Sequence, residues 1–235
     1  MSALEEILEQ HPVWRGGAPQ STLPGVPTGY QALDFELPGG GWPTGALTEI
    51  LSDREGIGEL ELVLPALARL SWAGRRVVWL APPHLPYAPA LAAAGVNLAN
   101  LAVVHPSVRA PGRRDALWAA EQVLRSGHCH ALLGWFRRAG YDELRRLAVA
   151  AEGGAAWVAL FRPALAATES SPACLRLALE PEGVVRILKR RGAPTAAPLH
   201  LALKRPAHAL GRTSFPVAAA GRPRAARRVG LPVHA

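Results

Sequence analysis

Between about residue 27 and residue 203 the chain alternates two patterns: short continuous apolar runs, and longer stretches whose apolar residues recur every three or four positions. The short runs, bounded by Gly and Pro, suit strands buried on both faces; the longer repeat suits helices packed on one side. Strands are predicted at 46–51, 76–81, 101–104, 129–134, 156–161, 174–179, 184–188 and 198–203. A helix over 59–73 carries Leu60, Leu64, Leu67 and Leu70, stops at Gly74, and is expected to kink at Pro65. A second, 115–126, starts at Asp115 as N-cap and ends at Gly127; a third, 141–151, sets Leu144, Leu147, Ala148 and Ala151 on one face. This order predicts an α/β fold with a mostly parallel central sheet and helices on both faces. The last three strands, with turns at Glu180–Gly183 and Gly192–Ala197, read as an antiparallel meander closing that sheet.

The flanks differ from the core. Residues 1–24 read as an arm: 3–10 (ALEEILEQ) is a short amphipathic helix with Leu4, Ile7 and Leu8 on one side, followed by a Gly/Pro-rich connector. Beyond residue 203 the alternation stops. Lys204, Arg205, Arg212, Arg222, Arg224, Arg227 and Arg228 occur there without one acidic residue, among Ala, Gly and Pro. Such a segment cannot bury enough apolar surface to offset the entropy of ordering it, so 204–235 is expected to be a disordered basic tail. Its Leu210, Phe215, Val217 and Leu231 would need a partner to cover them. The reading is therefore an arm at 1–24, one core at 25–203 and a tail at 204–235, and no internal repeat is visible.

Charge sharpens this picture. The 235 residues hold 26 Lys+Arg against 18 Asp+Glu, a net charge of +8, and nearly all the bases are arginine. Arginine forks onto phosphate oxygens, so the excess suits phosphate-rich partners, although a GC-rich genome produces the same Ala/Gly/Pro/Arg bias. No apolar run approaches the roughly 18 residues of a membrane span. The acidic start does not read as a signal peptide. Cys129 and Cys174 are too few for a disulfide framework or a zinc site, and strand alternation sends His128 and His130 to the opposite face from Cys129. The expectations are a cytoplasmic, nucleoid-associated protein with no metal and no cofactor.

The most specific segment is VPTGYQALDFELPGGGWPTGALTEI, 26–50. Its T-G-x-x-x-L-D stretch, Gly-rich turn, P-x-G and following strand resemble the entry to the RecA family core. HLPYAPALAAAGVNLANLAVVHP, SGHCHALLGW and CLRLALEPEGVVRILKRRG follow in that family's order, so the resemblance covers about 25–203. It implies a single RecA-like core. In that family the first core strand enters a loop, G-x-x-x-x-G-K-[ST], whose amides cradle phosphates, whose lysine neutralises them and whose hydroxyl binds magnesium. Here the loop is LSDREGIGEL: Gly58 matches the second glycine, Asp53 replaces the first, Glu59 the lysine and Leu60 the hydroxyl. The acid that activates water falls at Pro83, and the magnesium-ordering aspartate at Gly134 or Trp135. No ATP hydrolysis is expected; residual nucleotide binding through the Gly56 and Gly58 amides stays open.

The VWRG at Val13–Gly16, the lost phosphate loop, the WLAPP strand end and the ILKRRG-x-P ending are similar to the ImuA branch, often labelled SulA-like. That resemblance implies an accessory role in SOS-induced, error-prone translesion synthesis. It implies work beside an ImuB-like partner related to Y-family polymerases and an error-prone replicative-type polymerase, bridging them to DNA or recombinase, with the C-terminal region as docking segment. The competing resemblance is a SulA-type division inhibitor acting on the tubulin-like division protein.

With no catalytic set, function is expected on surfaces. Lys189, Arg190 and Arg191 form the densest basic cluster, read either as a contact to single-stranded DNA without sequence preference or as a solvated turn. The resemblance places DNA-binding loops at Arg137 and Arg138 and from Arg162 onward, both shortened here. Trp72, Trp79, Trp118 and Trp157 fall in helix or strand patterns and are expected in the core; Trp14 and Trp42 lie in loop-like segments and are read as partner contacts. In recombinases an N-terminal arm docks on the next subunit. Leu4, Ile7, Leu8 and Trp14 would do so with a second copy or a RecA recombinase, or would fold back on their own core. Leu210, Phe215, Arg227 and Arg228 are the tail's candidates for partner contact.

Overall fold

A computed structural model describes residues 25–106, 113–192 and 197–203. The candidates Leu4, Ile7, Leu8, Trp14, Leu210, Phe215, Arg227 and Arg228, and the expected disorder of the tail, lie outside these residues.

The chain enters through β1 (Gly25–Val26), which pairs antiparallel with β2 (Trp42–Pro43), and helix α1 (Gln31–Glu36) lies between them. Then follow β3 (Ala46–Ser52), α2 (Glu59–Trp72), β4 (Val77–Leu80), α3 (Ala88–Ala93), β5 (Leu101–Val104), α4 (Arg113–Arg125), β6 (Ala131–Trp135), α5 (Tyr141–Glu152) and β7 (Trp157–Pro163). The chain continues through β8 (Leu175–Glu180), β9 (Val184–Lys189) and β10 (Leu199–His200). Among the described residues eight strands form one sheet in the order β10-β9-β8-β3-β7-β6-β4-β5. β8, β3, β7, β6, β4 and β5 run parallel; β9 and β10 turn back antiparallel at one edge. This is the expected α/β architecture with its closing meander.

Both sheet faces are covered, which is why the central strands are mostly apolar. On one face Leu33 of α1, Leu62, Val63 and Leu67 of α2 and Leu91 of α3 pack on Ile50, Trp79, Leu133 and Trp157. On the other, Leu117 and Leu124 of α4 and Leu144 and Leu147 of α5 pack on Leu47, Leu80, Leu132 and Leu160. Among the described residues no helix is long and apolar enough to cross a membrane.

Several details depart from the sequence expectations. α2 runs through Pro65 without interruption. A proline leaves the carbonyl four residues earlier without its helical donor. That carbonyl, Glu61 O, instead accepts from Tyr30 Oη at 2.8 Å. The ring of Pro65 sits over Gly29, where a Cβ would lie 2.5 Å from it. α4 begins at Arg113, so Asp115 is in its first turn and is not its N-cap. β10 keeps two of the six residues predicted for it: the Leu201 amide still donates to Gly183 O in the same register, but there the facing segment has become the 3₁₀ turn Pro181–Gly183.

The tryptophans redistribute as well. Trp79 and Trp157 are core residues as expected, but Trp72 and Trp118 are exposed by 71% and 62%. Trp118 lies off the face that α4 buries through Ala116, Leu117, Ala120 and Leu124, and Trp72 uses its indole N–H to donate to Gly95 O. Trp42 is no partner contact: it is fully buried and stacks on Trp157, ring centroids 5.0 Å apart.

Candidate functional site

Parallel α/β sheets bind ligands at the carboxyl ends of their strands, where the loops diverge. Here the ends of β3, β4, β6 and β7 open into a cleft of about 400 Å³. The loop leaving β3 turns through Gly56 and Gly58, both at positive φ, and enters α2 at Glu59. The Glu59 side chain then folds back over the loop. Its Oε1 accepts from the Gly56 amide at 2.6 Å and its Oε2 from the Ile57 amide at 3.0 Å. Glu59 is buried, so the loop carries its own anion at the helix N-terminus, where a phosphate would otherwise be favoured. This corrects the expectation that the Gly56 amide remains open for residual nucleotide binding: a covalently attached carboxylate holds it. Leu60 is half-buried against the core, and a Cβ on Gly58 would lie 2.5 Å from Leu203 Cδ1, so the chain's return strand lies directly over the loop.

The other expected catalytic positions are also filled in ways that exclude a carboxylate. Pro83 lines the wall of the cleft beside Ala81. Gly134 has no room for a side chain, since a Cβ there would meet the Phe136 ring at 2.5 Å. Trp135 stacks on Phe161 at 4.8 Å and tilts against Trp79 at 5.4 Å, giving the cleft an aromatic floor. At the rim, Asp53, Arg54, Glu55 and Arg137 are exposed; Glu55 lies 3.1 Å from His84 Nε2 and 3.8 Å from Arg137 Nη1.

Arg162 is removed from the candidate DNA contacts. Its guanidinium is buried beneath the cleft, donating to Glu49 Oε1 at 2.6 Å, to Glu169 Oε2 at 2.7 Å and to Ala139 O at 3.0 Å. Glu49 is itself fully buried and also accepts from Arg176 Nε at 2.6 Å. Arg176 continues to the carbonyls of Ala166, Ala167 and Glu169, tying the 3₁₀ turn Ala164–Thr168 to the sheet. Sequence reasoning missed this network. The signal was a charge set among apolar residues in each of three strands, Glu49, Arg162 and Arg176, on strands that pair side by side.

Lys189, Arg190 and Arg191 lie at the opposite end of the sheet. β9 runs antiparallel to β8, so Lys189 pairs with Arg176 and the cluster projects at the amino ends of the parallel strands. A seven-residue strand such as β3 spans roughly 20 Å, so this group and the Arg137–Arg138 pair cannot form one patch. Arg190 is further corrected: it donates to the backbone carbonyl of Glu36 and to its carboxylate at 2.8 Å. Lys189 donates to Ser171 O at 2.8 Å and, like Arg191, is exposed. Arg137 and Arg138 remain exposed at the carboxyl edge, as their placement after β6 anticipates.

Three titratable groups are shifted by burial. Burial pushes the Cys129 thiol up to about 12, and its Sγ–H donates to Ala131 O at 3.2 Å. Burial also raises Cys174, partly offset by Arg191. Burial, with Arg75 beside it, lowers His130, whose Nε2 accepts from Arg75 Nη1 at 3.0 Å.

No protein-family model matches the chain. It is similar to Protein RecA of Picosynechococcus sp., 32% identical over 111 residues, which is 47% of this chain and 30% of that protein. It is also similar to Cell division inhibitor SulA of Edwardsiella piscicida, 33% identical over 105 residues, 44% of this chain and 60% of that protein. The relationship to RecA and SulA is thus distant, and the chain spans less than two thirds of either relative.

Proposed function

We propose that this chain is a non-catalytic accessory protein of the DNA-damage response, in which a RecA-like core serves as a scaffold and not as an ATPase. The observation that carries the reading is the Glu59 carboxylate on the Gly56 and Ile57 amides. A triphosphate would have to displace a tethered anion and then face it with no lysine present; like charges at ~4 Å repel by several kcal/mol in a partly buried site. Pro83 and Gly134 stand where the resemblance places the water-activating acid and the magnesium-ordering aspartate, and neither carries a carboxylate. In the finer form of the proposal the protein resembles ImuA. It works in SOS-induced, error-prone translesion synthesis, bridging DNA or a recombinase to an ImuB-like protein and an error-prone polymerase. DNA contact is assigned to the exposed Arg137 and Arg138 together with the basic segment after Leu203, with Lys189 and Arg191 as a separate phosphate contact at the other end.

Two measurements test this. Purified protein should release no phosphate from ATP above a heat-killed control, with or without single-stranded DNA; turnover that disappears on Gly58→Val would sink the non-enzyme reading. Capture of the tagged chain from DNA-damaged cells should recover a Y-family-like protein and a replicative-type polymerase. The SulA likeness supports a second reading, a division inhibitor, because it spans a larger share of that relative than the RecA likeness does. That reading expects capture of the tubulin-like division protein instead, and filamentous cells when the chain is expressed without damage.

A further inference from the structure

We propose that the N-terminal segment, residues 1–24, folds back in cis onto the amino edge of its own core and covers the hollow beside Lys189 and Arg191. A groove of about 340 Å³ opens there between the turn after β2 and the end of α5. Gly45, Ala148, Ala155, Pro172 and Cys174 give it a small, largely apolar lining, to which Arg191 and Glu152 also contribute. A second, smaller hollow continues it past Cys174 and Arg191 towards Leu37 and Pro38.

Three observations name the occupant. First, the described chain starts at this groove. Gly25 pairs with Pro43 and Val26 with Trp42, and Pro43 is followed directly by Thr44 and Gly45, which line the groove. Second, the chemistry matches. The segment offers Leu4, Ile7 and Leu8 on one side of an amphipathic stretch and Glu5, Glu6 and Glu9 beside them, while Lys189 and Arg191 stand exposed at the groove. An eight-residue helix is marginal alone in water and gains its order from a surface that takes its apolar side. Third, tethering favours the cis arrangement. A short linker holds the segment at an effective concentration of about millimolar, well above that of a second copy in dilute solution. The tether is long enough, since the 16 residues between Leu8 and Gly25 reach roughly 50 Å when extended.

Cys174 lines both hollows and reports on the cover, while the buried Cys129 serves as internal reference. Full-length protein is treated with a maleimide at fixed pH and labelling of each cysteine is followed by mass spectrometry. It is compared with Leu4→Asp/Ile7→Asp/Leu8→Asp and, as a variant that leaves the apolar residues in place, Glu5→Lys/Glu6→Lys/Glu9→Lys. Cys174 should label about tenfold faster in the first variant and several-fold faster in the second, with Cys129 slow in all three. The full-length rate should not change over a hundredfold dilution. Equal Cys174 rates in full-length protein and both variants overturn the proposal. So does a full-length rate that climbs on dilution, which would place the segment on a second copy.

Discussion

Glu59 occupies the position from which a lysine would reach a phosphate, and its two hydrogen bonds to loop amides make it a structural residue of that loop. Glu59→Ala should lower unfolding free energy by about 1–2 kcal/mol in urea titration, the scale of two charge-assisted hydrogen bonds to partly exposed loop amides. Glu49 is under a stronger constraint, because it neutralises Arg162 and Arg176 inside the protein. Glu49→Leu leaves the buried Arg176 without its carboxylate and Arg162 with Glu169 alone, and should cost about 3–5 kcal/mol. Arg186→Ala, which breaks a half-exposed pair with Glu180, should cost about 1 kcal/mol or less. Cys129 supplies a pH signature. An unfolded thiol ionises near 9.0 and the folded one near 12, so the protonated folded form contributes stability in full below pH 9. That contribution falls away as pH rises from 9 through about 12, because there the unfolded state has released a proton that the folded state retains. Its full extent is on the order of 4 kcal/mol. The stability of Cys129→Ala should therefore decline less steeply across that window than that of the parent.

At the scale of elements, α2 shows how a helix accommodates an interior proline: Tyr30, contributed by the turn before α1, supplies the donor that Pro65 cannot. Tyr30→Phe should lower the thermal midpoint by a few degrees, equivalent to about 1 kcal/mol for one hydrogen bond, and the loss should vanish when Pro65 is replaced by Ala. The long periodic elements were legible in the sequence, since α2, α5 and most of the strands follow from apolar spacing alone. α1 and α3 were not, because six residues complete fewer than two turns and show no period. The misplacement of Trp72 and Trp118 has a related cause. Falling within a helical pattern invited a core assignment, whereas α4's buried stripe through Leu117, Ala120 and Leu124 leaves residue 118 outside.

For the whole molecule, the departures from the family's phosphate-loop pattern at Glu59, Pro83 and Gly134 are visible in the sequence, and the structure adds the contact of the Glu59 carboxylate with the Gly56 and Ile57 amides. The buried Glu49–Arg162–Arg176 network was not legible there, because strand order, which brings β3 between β7 and β8, cannot be read from spacing. The separation of the two basic groups was within reach: an antiparallel β9 must carry Lys189–Arg191 away from the carboxyl edge where Arg137 and Arg138 sit. DNA binding, if it uses both ends, should lose salt dependence in independent steps. Arg137→Ala/Arg138→Ala and Lys189→Ala/Arg191→Ala should each reduce the log–log salt slope by about one per phosphate contact removed, and additively. Ending the chain at Leu203 should leave the thermal midpoint nearly unchanged while abolishing capture of the translesion partner. The strand order also sets a timetable for synthesis. β3 is the first long strand to leave the ribosome, yet its neighbours β7 and β8 follow only after both layers of helices, and Leu203 reaches Gly58 last of all. Until then β3 waits with both edges open, and such distant pairings close slowly. Slow expression at low temperature should therefore raise the soluble yield, measured as the soluble fraction of the full-length chain.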